Sequence, residues 1–438
     1  MLKAGAAQIN ITPPVGYELV GQWVARKSTG VNDELFANAL VIDNGSVKFA
    51  MVSCDVLSIG NTLRDRIRLL IAQETDLNPN YMLLCGTHTH TGPAVVGALG
   101  TDADEAYRDW FVKAVAGAVK IANDRLQDAV IGVGSGSAPG WAFPRRYWMK
   151  GGYVQMHPRK GDPNIVRVQG TADPQMNVLY ATDKNEQAIA VMVNFACHST
   201  VVGGESVISA DFPGAIRDVI KKVKGDQTVV LFANGACGDV CQIDVENPNH
   251  HEHGHRWREK MGLALGSEAL KIIAAMDMND TASPVIKIKQ EVLPLPIRDI
   301  PAERLAQAKA AFANRPMHPP PRTRDEIVQR ELILLSQDKE RDANVYAELM
   351  AIRLNGAAII TIPGELFCDL GKRIKAESGF EPTFVVELAN GCVGYLPTLE
   401  AFDGGGYETE LVRSSKLIPE AGNMVVEKAV ELLKAIRK

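Results

Sequence analysis

The feature that most limits the fold is a series of eleven short apolar runs, most of them stopped by glycine, asparagine, aspartate or proline. They fall at 39–45, 49–57, 81–86, 129–136, 177–183, 189–197, 228–235, 285–295, 349–356, 357–365 and 384–391. Runs of this length, rich in β-branched residues and punctuated by turn formers, predict strands. Several are apolar at nearly every position, which only a strand buried on both faces tolerates, so the sheet must be covered on both sides. Amphipathic stretches at 62–75, 107–126, 213–225, 256–276 and 423–438 supply that cover as helices. Not every link between runs holds a helix. The expected fold is therefore α/β, with a large mixed central sheet flanked by helices.

Charge and cysteine usage narrow the class further. With 52 acidic against 47 basic side chains and a net charge of −5, the chain has no field that would recruit nucleic acid. No stretch reaches the roughly 18 apolar residues of a membrane span. Seven cysteines, an odd number at irregular spacing and partly inside apolar runs, read as reduced buried thiols. The start, MLKAGAAQINITPP, has no apolar leader core, so a cytoplasmic address is expected. Residues 1–438 are expected to form one catalytic domain, with a helical excursion at about 298–340 around the Pro/His-rich segment 316–321.

Chemistry collects where the runs end. His88 and His90 follow run 81–86, His198 follows 189–197, and Cys237, Asp239 and Cys241 follow 228–235. Glu365 closes run 357–365, and Tyr395 follows 384–391. In open α/β sheets the crevice beyond the carboxyl ends of strands is where ligands bind. Two residues apart in extended backbone share a face, so His88 and His90 can address one metal or one substrate, or simply pair with neighbours in a loop. Two histidines and a carboxylate with an open position make a ligand set for catalytic zinc.

These segments resemble the neutral (non-lysosomal) ceramidases. The likeness runs through AGAAQINITPPVG, CGTHTHTGP, VNFACHSTV, SADFPGAIR, FANGACGDV, PGELF and ANGCVGYLPTLEAFDGGGYE, in the family's order and across nearly the whole chain. The resemblance implies one zinc per chain, held by His88, His198, Glu365 and Tyr395. A phenol, with a pKa near 10, ligates poorly unless a cation beside it favours the phenolate. It also implies that His90 lies near the open position as an acid/base, and that Arg145, or its neighbour Arg146, stabilises a carbonyl oxyanion. The implied substrate is a small-molecule or lipid-like acyl compound, cleaved at an amide bond. An ester, a small N-acyl compound or a carbohydrate derivative on the same scaffold is the alternative, as is a non-catalytic relative.

Cys241 stands where the ceramidases place serine. Its thiolate could attack, bind zinc or stay inert, and the apolar neighbours Val240 and Ile243 favour the inert thiol. The ceramidases are longer, with a C-terminal β-sandwich domain that is not expected here, and segment 316–321 offers no apolar cover for a lipid chain. The histidine-dense stretch 249–255 is a second metal site or, as we expect, an exposed loop leading into the helix near Trp257. Asp55 could orient a ligand histidine, and Asp211 either does the same or starts a helix. Glycines 404–406 lack the strand and helix of a phosphate loop.

Overall fold

Each of the eleven runs occupies a strand in the computed structural model, which describes residues 2–278 and 284–437. One more long strand, Lys3–Asn10, joins them. The main sheet has eight strands, in the order Val229–Asn234, Ala188–Phe195, Gln175–Asp183, Gln127–Ser137, Lys3–Asn10, Phe36–Asp43, Lys48–Cys54 and Met82–Gly86. Only the pairs at its two edges are parallel, so the sheet is mixed. A second sheet orders Ile286–Pro296, Asn344–Leu354, Ala357–Ile362 and Thr383–Glu387.

The main sheet is two four-stranded halves joined at a corner. Lys3–Asn10 pairs with Phe36–Asp43 over eight residues but with Gln127–Ser137 only at Lys3↔Asp128 and Ala4↔Gln127. Side chains alternate across the pleat. On one half, Leu40, Ile42, Phe49 and Met51 face inward; on the other, Leu179, Ala181, Met192 and Leu231 do so, and all share one cluster with Ile352, Ile359 and Phe384 of the second sheet. The alternate residues face outward under helices. Ala39, Val41 and Val52 lie under Asn61–Glu74 and Glu105–Asp124. Val178, Val191 and Val230 lie under Asp211–Lys224 and His255–Ala274. Leu349, Ile360 and Val385 lie under Cys368–Ser378 and Ala421–Arg437. The two halves of the main sheet and the second sheet, each backed by helices, thus meet over one interior.

This arrangement positions the strand ends. Followed through its pairings, a flat sheet would send the ends of Met82–Gly86 and Ala188–Phe195 to opposite edges. The two-residue corner lets the halves cross instead, and the ends meet. Buried side chains stitch the layers: Ser53 Oγ donates to Phe232 O at 2.5 Å, and Asn194 Nδ2 donates to Ala233 O and Val385 O, both at 2.9 Å. Helices Ala302–Ala311 and Arg324–Arg341 form the excursion. It docks through Asp102, which accepts from Arg330 Nη2 and pairs with His318 Nδ1, both at 2.6 Å. None of the seven cysteines is in a disulfide. No helix among the described residues is long and apolar enough to cross a membrane.

Phe384 is wholly buried where the second sheet shares its core with both halves of the main sheet. Phe384→Ala should destabilise the protein by about 3–5 kcal/mol, read as a lowered midpoint in guanidinium unfolding; a change under about 1 kcal/mol would show that the interior is not shared.

Candidate metal centre

One carbonyl ties three strand ends together. Thr87 O accepts from Ser199 Oγ at 2.7 Å and from Asn234 Nδ2 at 3.1 Å, so the loops after Met82–Gly86 and Ala188–Phe195 meet the end of Val229–Asn234. His88 then turns left-handed, with φ +65°, and its N–H reaches Val56 O at 3.0 Å. A non-glycine residue there is strained, and such strain gathers at functional sites. Glu365 enters opposite, pairing in register with Tyr395 across a short parallel ladder. Gly238 lies so close that an added Cβ would stand 2.6 Å from Glu365 O.

The three imidazoles have fixed tautomers. His88 Nδ1 lies 3.0 Å from Leu57 O, His198 Nδ1 2.7 Å from Cys237 O, and His90 Nδ1 2.7 Å from Gly21 O. A carbonyl can only accept, so each Nδ1 carries the proton and each Nε2 presents a lone pair. Those lone pairs face one another: His88 Nε2 is 3.0 Å from His198 Nε2 and 3.3 Å from His90 Nε2. Burial, with Arg145 and His88 adding to it, lowers the His198 pKa to about 3, and burial also holds His90 neutral.

Glu365 Oε2 completes the group at 3.4 Å from both His88 Nε2 and His198 Nε2, buried and without a hydrogen-bond partner among the described residues. Burial works against its charge, and only positive charge on the Nε2 side of the histidines, a proton or a metal, holds its pKa below the carboxylate range. Lone pairs and an anion turned toward one point repel unless a cation lies between them. Donors 2.0–2.1 Å from a tetrahedral zinc are about 3.3 Å apart, and the His88–His198–Glu365 triangle has edges of 3.0, 3.4 and 3.4 Å. The residues fit a divalent metal. His90 belongs to the same donor group, although the sequence placed it outside the ligand set.

Tyr395 is buried beside them. Burial, then the charge of Glu365, push its phenol pKa well above the ordinary value, so only a cation would bring it to a phenolate. Its oxygen accepts from Arg145 Nη2 at 3.1 Å. Arg145 also donates from Nε to Glu408 Oε1 and from Nη2 to Gly238 O, both at 2.8 Å. Its Nη1 has no hydrogen bond among the described residues, and the side chain lines a cavity of about 320 Å³ beside His90, His198 and Tyr395. Arg146 points away, bonded to Gln169, Glu408, Ala401 and Gly405. Cys241 is fully buried behind the cavity wall, with Sγ 3.2 Å from His157 Nε2 and its pKa raised by burial to about 11.

Other expectations are corrected. Asp55 orients no histidine: it accepts from Phe36 N at 2.9 Å and Arg217 Nη1 at 2.6 Å, and a backbone carbonyl does the work assigned to it. Asp211 opens helix Asp211–Lys224 and ties it to Val202 N at 2.9 Å. In the 249–255 stretch, Glu252 is buried against Lys160, and His253 lines the cavity; no metal-holding group forms there among the described residues. Sequence reasoning missed Tyr407 and His157, also in the wall, and Glu387. Glu387 had a legible signal, a lone carboxylate inside an apolar strand. It is wholly buried and accepts from Cys237 N and Leu366 N, both at 3.0 Å, and from Cys237 Sγ at 2.8 Å. It thus clamps the segment that orients His198 to the segment that carries Glu365.

Fold and site together define an α/β protein with a buried three-imidazole, one-carboxylate centre at converging strand ends. The sequence profile described as neutral/alkaline non-lysosomal ceramidase, N-terminal, matches residues 3–258, more than half of the chain. The chain belongs to that family. A neutral ceramidase from Pseudomonas aeruginosa is similar in structure, with a TM-score of 0.73 at 18% identity, over 100% of this chain and 74% of that one. A structure described as ceramidase complexed with C2 gives 0.72 at 16%, over 100% and 75%. No curated protein matches in sequence.

Glu387→Ala should leave the fold intact by circular dichroism yet weaken divalent-metal binding about 10- to 100-fold in competition with a chromophoric chelator. Unchanged affinity would show that the clamp does not hold the donors.

Proposed function

We propose that the chain is a zinc-dependent amide hydrolase that cleaves an N-acyl bond, as its family membership suggests. The observation that carries this reading is the donor group itself: three deprotonated nitrogens and a carboxylate oxygen facing one point, beside a cavity and an arginine. In this reading one zinc per chain is held by His88, His198 and Glu365, with Tyr395 as the fourth ligand. When bound, the metal supplies Lewis acidity and a water acidic enough to ionise near neutral pH.

The chain's own residues supply the rest. Gly21 O keeps the His90 proton on Nδ1, so Nε2 is the atom that takes a proton from the attacking water and returns it to the leaving nitrogen. Glu408 and Gly238 O hold the Arg145 guanidinium while Nη1 donates to the oxygen that gains charge as the carbonyl carbon becomes tetrahedral. Cys241 takes no part: its proton is held by burial, and its sulfur sits against His157 instead of in the cavity. Water's oxygen ends on the acyl carbon, the carbon–nitrogen bond breaks, and the nitrogen leaves protonated, giving an acid and an amine.

Elemental analysis of the untagged protein should find one zinc per chain, and chelation should abolish amide hydrolysis; full activity in chelator would end the proposal. His90→Ala should retain the metal while turnover falls about 10²–10⁴-fold. Loss of metal in that variant would make His90 a ligand, as its 3.3 Å distance from His88 Nε2 allows. Cys241→Ala should keep turnover within about tenfold of the parent, whereas a thousand-fold loss with metal still bound would make the thiol the nucleophile.

A further inference from the structure

His90 is gripped by a hairpin that belongs to neither large sheet. Residues 16–28 fold back through the pairs Glu18↔Lys27 and Leu19↔Arg26, with Gly16 N donating to Ser28 O at 3.0 Å. Leu19, wholly buried, anchors the hairpin in the core. Just beyond it, Thr29 N donates to Ser206 O at 2.7 Å, and Gly30 and Val31 pair in parallel with Val207 and Ile208. The base of the hairpin is thus fixed without help from its tip.

The tip lies between two loops, the one carrying His88 and His90 and the one that follows His198. On the first side, Gly21 O meets His90 Nδ1 at 2.7 Å, and Arg26 Nη2 donates to the His90 carbonyl at 2.6 Å. On the second, Arg26 Nη1 donates to Glu205 O, and Gln22 Nε2 donates to Gly203 O at 2.9 Å. The fit is close. A Cβ on Gly21 would stand 2.7 Å from His90 Nδ1, and one on Gly203 would stand 3.3 Å from His90 Cβ. The flanking threonines are held too: Thr89 Oγ1 and Thr91 Oγ1 donate to Ser209 O at 2.6 and 3.0 Å.

Arg26 makes no ion pair among the described residues, and burial with no anion beside it lowers its pKa. Its Nε is buried without a hydrogen bond there, so the two terminal nitrogens carry its contacts. A cation held this way is costly, but the bonds it does make are about twice as strong as those of a neutral donor. Arg26 is not in the wall of the 320 Å³ cavity, so it acts through another residue. Resting on the hydrolase reading above, we infer that Arg26 is a positioning residue for the reaction: by joining His90 O to Glu205 O, it holds the imidazole where Nε2 can exchange its proton with the reacting groups. Misplacement of such a group by about 1 Å costs up to about 100-fold in rate.

The test compares zinc-loaded parent, Arg26→Met and Arg26→Lys on N-acetylsphingosine, N-palmitoylsphingosine and N-acetylglucosamine, measuring amine release and bound zinc. The His90 Nδ1–H resonance is followed in protein carrying isotope-labelled histidine, and is assigned by its absence from His90→Ala. Arg26→Met should keep its zinc, lower kcat about 10- to 100-fold with KM within about threefold of the parent, and broaden the resonance. Arg26→Lys, whose ammonium still donates to a carbonyl, should keep the resonance and stay within about tenfold of the parent. If Arg26→Met does not fold or loses its zinc, Arg26→Gln is judged by the same limits, and failure of both makes the residue structural and overturns the inference. It is also overturned by a kcat within about twofold of the parent, by a loss carried in KM, or by an unchanged resonance; in each case the hydrolase reading stands. If the zinc-loaded parent releases amine from none of the three, the hydrolase reading falls and takes this inference with it.

Discussion

Three backbone carbonyls decide what the site is. Leu57 O, Gly21 O and Cys237 O each claim the Nδ1 proton of one histidine, and in doing so leave three Nε2 lone pairs aimed inward. A side-chain acceptor could rotate or titrate; a main-chain carbonyl does neither, so the tautomers are as rigid as the fold. The constraint then spreads outward. Cys237 O is placed by its loop, which Glu387 grips through the Cys237 N–H and thiol, and the same carboxylate grips Leu366 next to Glu365. Mutual repulsion within the donor group is opposed because each imidazole is held from behind by its carbonyl.

A second anchor lies on the opposite side of the cavity. Glu408, wholly buried, receives Arg145 through one oxygen and Arg146 through the other. A buried carboxylate is costly unless paired, and here two guanidiniums share it. The adjacent arginines divide the labour: Arg146 fastens the loop before Tyr407 through Ala401 O and Gly405 O, and Arg145, whose Nη1 has no hydrogen bond among the described residues, is left in the cavity wall. That division could not be seen from two neighbouring arginines in a sequence, since it depends on which face of a short strand meets a loop some 260 residues away.

Much of the architecture was nonetheless written in local pattern. The apolar runs were strands because nothing but burial on both faces explains Val, Ile and Leu at successive positions, as in Ala188–Phe195 and Val229–Asn234. Lys3–Asn10 was not recognised as a strand because it is built from alanine and glycine. The reason is crowding: a Cβ on Gly5 would stand 2.2 Å from Ala122 O of the overlying helix, so this central strand must stay thin. Helix Cys368–Ser378 was likewise hidden behind Glu365, where the residues read as the tail of a site motif. In the site, His88, His198, Glu365 and Tyr395 stood out because they follow strands. His157 and Tyr407 did not, because they come from turns and short segments whose meeting depends on the whole tertiary fold.

The corner at Lys3↔Asp128 and Ala4↔Gln127 has a consequence for synthesis. It brings His88, from the first quarter of the chain, against His198, Glu365 and Tyr395, the last of which lies in the final tenth. Neither half of the sheet contains a whole donor set. A nascent chain emerging from the ribosome therefore carries isolated imidazoles with no more pull on a cation than surface histidines have, and the set closes only when the last helices dock. Such long sequence separations slow folding, and here they also act as a timer: the donor group closes only after the chain has been made at least as far as Tyr395.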